Sequence, residues 1–200
     1  MKQVLASLFA LGLLALAGCA GMPKPDSGSQ AWELHRAELD GLSHWTASGK
    51  IALRTAEQAE SASLLWQQIG DATHVRLSGP LGVSATTVAS DGQALEIRQG
   101  EDYSRWNLDD PALKQDTGFE LPLRSLPHWL KGVPDPDLPL ETLELDDNRQ
   151  LPQQIQQEGW TVEYQQFSNF GEFLLPTRLQ VYRGKTRARI LLREWGDFSG

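Results

Sequence analysis

The chain has 200 residues, 26 of them acidic and 18 basic, and its net charge is −8. That length suits one domain behind a targeting segment, and the acidic balance excludes the basic field that nucleic-acid phosphates require. With Cys19 as its one cysteine, the chain cannot form an internal disulfide.

The N-terminus reads as an address. Met1-Lys2 is a short basic start, Val4 to Leu16 is an uncharged apolar run, and small residues follow. The run is too short for a stable transmembrane helix, and the three parts together describe a secretory signal peptide over residues 1–18. Leu16-Ala17-Gly18-Cys19 resembles the bacterial lipobox. That resemblance implies cleavage before Cys19, a diacylglyceryl thioether on its sulfur and an acyl chain on its new amino group; no other cofactor is expected. Ala20 follows the cysteine. In such lipoproteins an Asp there means retention at the inner membrane, so its absence points to the periplasmic face of the outer membrane. The mature chain, one unit more negative than the precursor, should be repelled by anionic lipid. Attachment then falls to apolar contacts and to acyl burial, at about 0.8 kcal/mol per CH₂.

Residues 19–30, with Pro23, Pro25, Ser27, Gly28 and Ser29, read as a lipidated flexible tether, and residues 31–200 as the domain. Ala31 to Ser43 places Trp32, His35, Leu39 and Leu42 near helical spacing, so an amphipathic helix is expected there with Ser29 as its N-cap. From Trp45 the period changes to two. Ile51 and Leu53, Leu64 and Trp66, Val75 and Leu77, Leu95 and Ile97, then Trp106 and Leu108 alternate with polar or outward neighbours. Turn residues at Gly70-Asp71, Asp91-Gly92 and Gly100-Glu101 separate these runs, which describes an antiparallel meander with one apolar face.

One turn is unusual. Ser78-Gly79-Pro80-Leu81-Gly82 has few conformations, because Pro80 fixes φ and Gly82 tolerates positive φ. Its tip displays a leucine where turns usually carry polar residues. Leu81 either folds back onto the core or is held out to touch something apolar.

The middle interrupts the sheet. Asp110-Pro111 starts a helical run that stops at Gly118. Leu123, Leu126, Trp129 and Leu130 share a helical face, with Pro127 bending or splitting the run and Gly132 able to cap it. A proline-rich connector, Val133 to Pro139, follows. The β period then returns at Leu143 and Leu145, at Leu151 and Ile155 around Pro152, at Trp160 to Tyr164, at Leu179 and Val181, and at Ala188 to Leu192. About ten or eleven strands in one domain suggest a strongly curved sheet or an open barrel.

Enzyme signatures do not appear: there is no CxxC, HExxH or G-x-S-x-G, and His35, His44, His74 and His128 lie on separate elements. The pairs Asp109-Asp110 and Asp146-Asp147 read as turn or helix-start residues. Seven tryptophans form a heavy aromatic load for this length. Most suit core packing, but a curved sheet closed by helices could also hold an apolar cavity.

Several pieces together resemble the LolB family, outer-membrane receptors of the lipoprotein-localisation pathway. They are the lipobox at Cys19, Trp66-Gln67-Gln68, Leu77 with Gly79-Pro80-Leu81-Gly82, Leu121-Pro122, Trp129 to Pro134, Gly159-Trp160 with Tyr164, Leu175-Pro176 and Trp195, in the family's order. The resemblance implies a mainly β chain of the α+β class: an antiparallel, unclosed, LolA/LolB-like barrel of eleven strands with a helical lid over an apolar cavity. It implies a monomer that receives lipoproteins from the periplasmic carrier LolA and inserts them in the outer membrane. It assigns insertion to the loop Pro80, Leu81 and Gly82, with Leu81 protruding. Residues for the acyl-chain cavity are Leu64, Trp66, Leu77, Leu123, Leu126, Trp129 and Trp160. Two departures stand out: Gly79 where a relative carries Asn, and Pro127 within the lid helix. Two other readings of the residues remain, a lipid-anchored module for a small apolar ligand and a structural envelope lipoprotein that binds a partner through Leu81.

Overall fold

Eleven antiparallel strands make one sheet in the computed structural model, which describes residues 27–79, 85–113, 121–148 and 150–199. They are β1 (His44–Arg54), β2 (Ala59–Ile69), β3 (Ala72–Ser78), β4 (Ala85–Ser90), β5 (Ala94–Gln99), β6 (Asp102–Asn107), β7 (Thr142–Leu145), β8 (Pro152–Gln157), β9 (Trp160–Phe170), β10 (Phe173–Arg183) and β11 (Thr186–Ser199). Their order in the sheet is β6-β5-β4-β3-β2-β1-β11-β10-β9-β8-β7. Every pairing joins sequence neighbours except that of β1 with β11 at the centre. The free edges are therefore β6 and β7, the two strands that flank the helical insert. Cys19 and the tip residues Pro80, Leu81 and Gly82 lie outside the described residues.

The alternation in the sequence sets which face is buried. Trp45 and Ala47 on β1, Leu64 and Trp66 on β2, Val75 on β3 and Val88 on β4 point inward and are buried. So do Leu179 and Val181 on β10 and Ala188, Ile190 and Leu192 on β11. Six of the tryptophans (32, 45, 66, 129, 160 and 195) are in this core. Trp45 lies between two of them, 6.2 Å from Trp66 in a stacked pair and 5.0 Å from Trp195 in a tilted one. Burial of this kind contributes about 25 cal/mol per Å² of apolar surface and is the main source of stability.

Two irregularities curve the sheet. β1 and β11 slip register between Ser48 and Gly49, and a Cβ on Gly49 would lie 1.9 Å from the Leu191 carbonyl oxygen. Only glycine lets the two central strands approach this closely. On the other side, Pro152 opens β8 opposite Leu145, where β7 and β8 shift register. A proline has no N–H to donate, and the bulge removes the need for one.

Two helices complete the described fold. Helix α1 (Ser27–Asp40) begins four residues before the expected start, so Ser29 lies within it rather than at its cap. Trp32 and Leu39, with Leu42 just beyond, are buried as the spacing predicted, while Arg36 pairs with Glu33 and Asp40 on the wet side. Helix α2 (Leu126–Lys131) is one short turn-and-a-half. Pro127 sits in its first turn, where a missing N–H is harmless, so the longer apolar run is split into a turn at 122–125 and this helix. Gly132 ends it in the left-handed region at φ 91°. The helical run from Asp110 lies partly outside the described residues; within them, the Asp110 carboxylate accepts from the Ala112 N–H, as a helix start does.

Gly49→Ala should lower stability by roughly 2 kcal/mol or more, since the new methyl can be accommodated only by parting β1 from β11. A urea titration would measure this, and Gly196→Ala, whose Cβ would meet only the Thr46 hydroxyl at 3.6 Å, is the contrasting control.

Candidate functional site

Buried polar side chains fasten the helical insert to the sheet. Gln157, the last residue of β8, is fully buried. Its Oε1 accepts from the Trp129 indole N–H at 2.8 Å and from the Asp135 backbone N–H at 2.9 Å. Its Nε2 donates to the Asp135 carbonyl at 2.9 Å and the Leu138 carbonyl at 3.1 Å. All four hydrogen bonds available to the amide are made. The Tyr164 hydroxyl on β9 adds a bond to the Trp129 carbonyl at 2.8 Å. Burial raises the Tyr164 phenol well above its usual range, so it remains a donor. Helix α2 and the connector 133–138 are thus an anchored plug inside the sheet.

Lys131 ties the plug to α1. Its Nζ donates to the Leu39 carbonyl at 2.7 Å and the Leu42 carbonyl at 3.0 Å, at the C-terminal end of the helix. Carbonyls at a helix end lack internal partners and favour a cation. Only 4% of Lys131 is exposed, and this burial lowers its ammonium to about 8, against a smaller raising effect from Asp40. A neutral amine still carries two N–H bonds, so both contacts survive its loss of charge.

Six of the seven residues expected around a cavity, Leu64, Trp66, Leu123, Leu126, Trp129 and Trp160, are buried together in one core. Trp129 and Trp160 are in ring contact at 6.4 Å. Leu77 differs: it faces inward beside Leu64 but is only partly buried. It belongs with two other residues that the alternation marks as inward but does not place at a rim. Leu53 on β1 and Ile97 on β5 are also partly buried and pack against the core. All three lie toward the sheet edge that carries the β1–β2, β3–β4 and β5–β6 connections. Leu143 and Leu145 form a similar pair on the free edge β7. The sign available in the sequence was position: each of the first three lies within a few residues of a connection on that edge. Together they form an apolar rim, reachable by solvent, beside the buried core.

The outer wall has a different character. A cleft of about 900 Å³ crosses the outward face of β1, β2, β10 and β11. Lys50, Arg178 and Arg189 line it with Ser61, Ser63 and Gln165, and no carboxylate is among its lining residues. Among the described residues no group of three His, Cys, Asp or Glu side chains could hold a metal ion.

A family model described as "LolB: Outer membrane lipoprotein LolB" matches residues 43–195. The chain is similar to the outer-membrane lipoprotein LolB of Chromohalobacter salexigens, at 34% identity over 183 residues, covering 90% of this chain and 85% of the relative. It is similar to that of Stutzerimonas stutzeri at 31% identity over 202 residues, covering 98% and 95%. A solved LolA superfamily protein from Nitrosomonas europaea aligns at TM-score 0.49 and 12% identity, over 84% of this chain and 92% of that one.

Two outcomes follow from the buried polar contacts. Gln157→Leu strands two donors and two acceptors, so it should cost several kcal/mol and release α2, seen as loss of the near-ultraviolet tryptophan signal. Lys131 binds its proton less tightly when folded (about 8) than when unfolded (10.5), so stability should rise as pH increases across that window. The rise should be no more than about 3 kcal/mol, and it should be missing from the difference curve of Lys131→Met.

Proposed function

The chain belongs to the LolB family of outer membrane lipoproteins, and we propose that it receives lipid-modified proteins from the periplasmic carrier LolA and inserts them into the inner leaflet of the outer membrane. The observation that carries the mechanism is the apolar rim of Leu53, Leu77 and Ile97 at the edge where β3 and β4 are joined. Acyl chains enter over these side chains, which no hydrogen bond fixes. They come to rest against Leu64, Trp66, Leu123, Leu126, Trp129 and Trp160, and the cavity opens as the rim residues move aside. Trp129 is the floor of that space, since Gln157 and Tyr164 hold it. Cys19 carries the lipid anchor that keeps the domain at the bilayer.

Transfer needs no energy source if each step runs downhill. An acyl chain gains a similar free energy per CH₂ in protein and in lipid, so small affinity differences set the direction, with about 1.4 kcal/mol for each factor of ten. A shallow, adjustable site suits this better than a preformed, fitted one. In the loop Pro80, Leu81 and Gly82, the leucine contributes about 1.5–3 kcal/mol on entering lipid. That is too little to anchor the domain and enough to orient its rim.

The test is a handover assay. LolA loaded with an acylated lipoprotein is mixed with the mature chain carrying Cys19→Ser, and a pull-down asks whether cargo changes hands. Leu53→Asp should reduce receipt at least tenfold. Leu81→Glu should leave receipt nearly intact and abolish incorporation into liposomes. Failure of the folded chain to take any cargo, while still binding a fluorescent apolar probe, would replace this reading with that of a small-ligand module.

A further inference from the structure

The outward face of the central strands has a charge opposite to that of the chain as a whole. From Phe173 to Arg193 there are six basic residues and no acidic one. The strand pairings place the relevant side chains in two adjoining rows. One row runs Ser63, Lys50, Leu191, Arg178 across β2, β1, β11 and β10. The next runs Ser61, Ala52, Arg189, Gln180 across the same strands. Neighbouring strands lie about 4.8 Å apart and alternate residues about 7 Å, so three cations share a patch roughly 10 Å across. Lys50, Arg178 and Arg189 are exposed, and none of them makes an ion pair among the described residues. The carboxylate on the adjoining strand β9, Glu163, is already occupied by the Tyr182 hydroxyl at 2.7 Å and the Gln180 amide at 3.2 Å. Arg189 is turned along the face by its bond to the Gln180 Oε1 at 3.1 Å. Further along β1 and β11, away from the rim, the same face becomes acidic, with Glu194 and Asp197 held by Ser48 and Thr46.

We propose that this basic face docks on the phosphates of anionic glycerophospholipid in the bilayer. Cations with no carboxylate partner among the described residues, hydroxyl donors beside them and an apolar Leu191 between them match a phosphodiester with its glycerol carbons. The occupant is lipid because the family is lipid-anchored, so a bilayer surface is always within reach of this wall, and because the basic half lies toward the same edge as the rim. The net charge of the domain predicts repulsion from anionic lipid; the distribution of that charge gives one attractive side. Docking here sets the domain's orientation independently of whether cargo is bound.

The experiment uses the mature chain with Cys19→Ser, whose acyl anchor is absent, and co-sedimentation with vesicles. Vesicles of phosphatidylethanolamine alone are compared with the same vesicles containing phosphatidylglycerol, and inorganic phosphate is added as competitor. Binding should increase with phosphatidylglycerol and fall with salt. Neutralising Lys50, Arg178 and Arg189 together to Gln should lower that gain about tenfold or more, whereas neutralising Arg36, Arg98 and Arg105 should leave it unchanged. Circular dichroism checks that both variants fold. Equal losses in the two triple variants would reduce the effect to bulk charge and overturn the site. A Lys50/Arg178/Arg189 variant that binds vesicles normally but no longer takes cargo from LolA would make this face a protein-docking surface and overturn it as well. Competition by millimolar free phosphate alone, with no response to phosphatidylglycerol, would equally rule out the bilayer as occupant.

Discussion

A sheet that stops short of closing has two unpaired edges and an interior open between them. Here the solution rests on Gln157. Its amide holds the indole of Trp129 and both backbone groups of Asp135, so the segment that bridges the free edges is bonded to the sheet it bridges. The placement of α2, the burial of Trp129 against Trp160 and the reach of Lys131 to the end of α1 all follow from that clasp. A hydrophobic residue of the same size could fill the volume, but it could not satisfy the connector's backbone. The polar centre therefore fixes one arrangement of an insert whose apolar side chains alone would tolerate several.

The clasp also separates what can move from what cannot. Trp129 and Trp160 are held, whereas Leu53, Leu77 and Ile97 have only dispersion contacts on one side and water on the other. Rotamer changes at such positions cost little and leave no polar group unpaired. In the proposed transfer, a rim of this kind would adapt to acyl chains of different length without a rigid mould. The short helix in the insert is bonded to the sheet through Gln157 and Tyr164, whereas the rim residues carry no such bonds.

Much of the fold is readable from period and punctuation. The alternations at Leu64 and Trp66, Trp160 and Val162, and Ala188 to Leu192 form strands with the expected faces, and Gly132 caps its helix. The start of α1 falls earlier than Ser29 suggests: that residue type favours a cap, but here it lies inside the helix. The central β1–β11 pairing is invisible in the sequence, since nothing local links residue 51 to residue 190; only their shared burial does. The site is read less completely. Period two marks Leu53 and Leu64 alike as inward, but cannot say which lies at a rim and which in the depth, because that depends on where the strand ends relative to the sheet. The basic wall is hidden for a similar reason: net charge sums over faces that the fold keeps apart.

The pairing of β1 with β11 has a consequence for how the chain is made. The two strands meet at the centre of the sheet, yet one begins at residue 44 and the other finishes at residue 199. Hairpins on either flank can form early, but the halves cannot join until the last strand arrives. Contacts so distant in sequence form late and slowly, because the intervening chain must first be ordered. A chain with this topology stays incomplete throughout its synthesis and becomes a finished domain only after its C-terminal strand has been added.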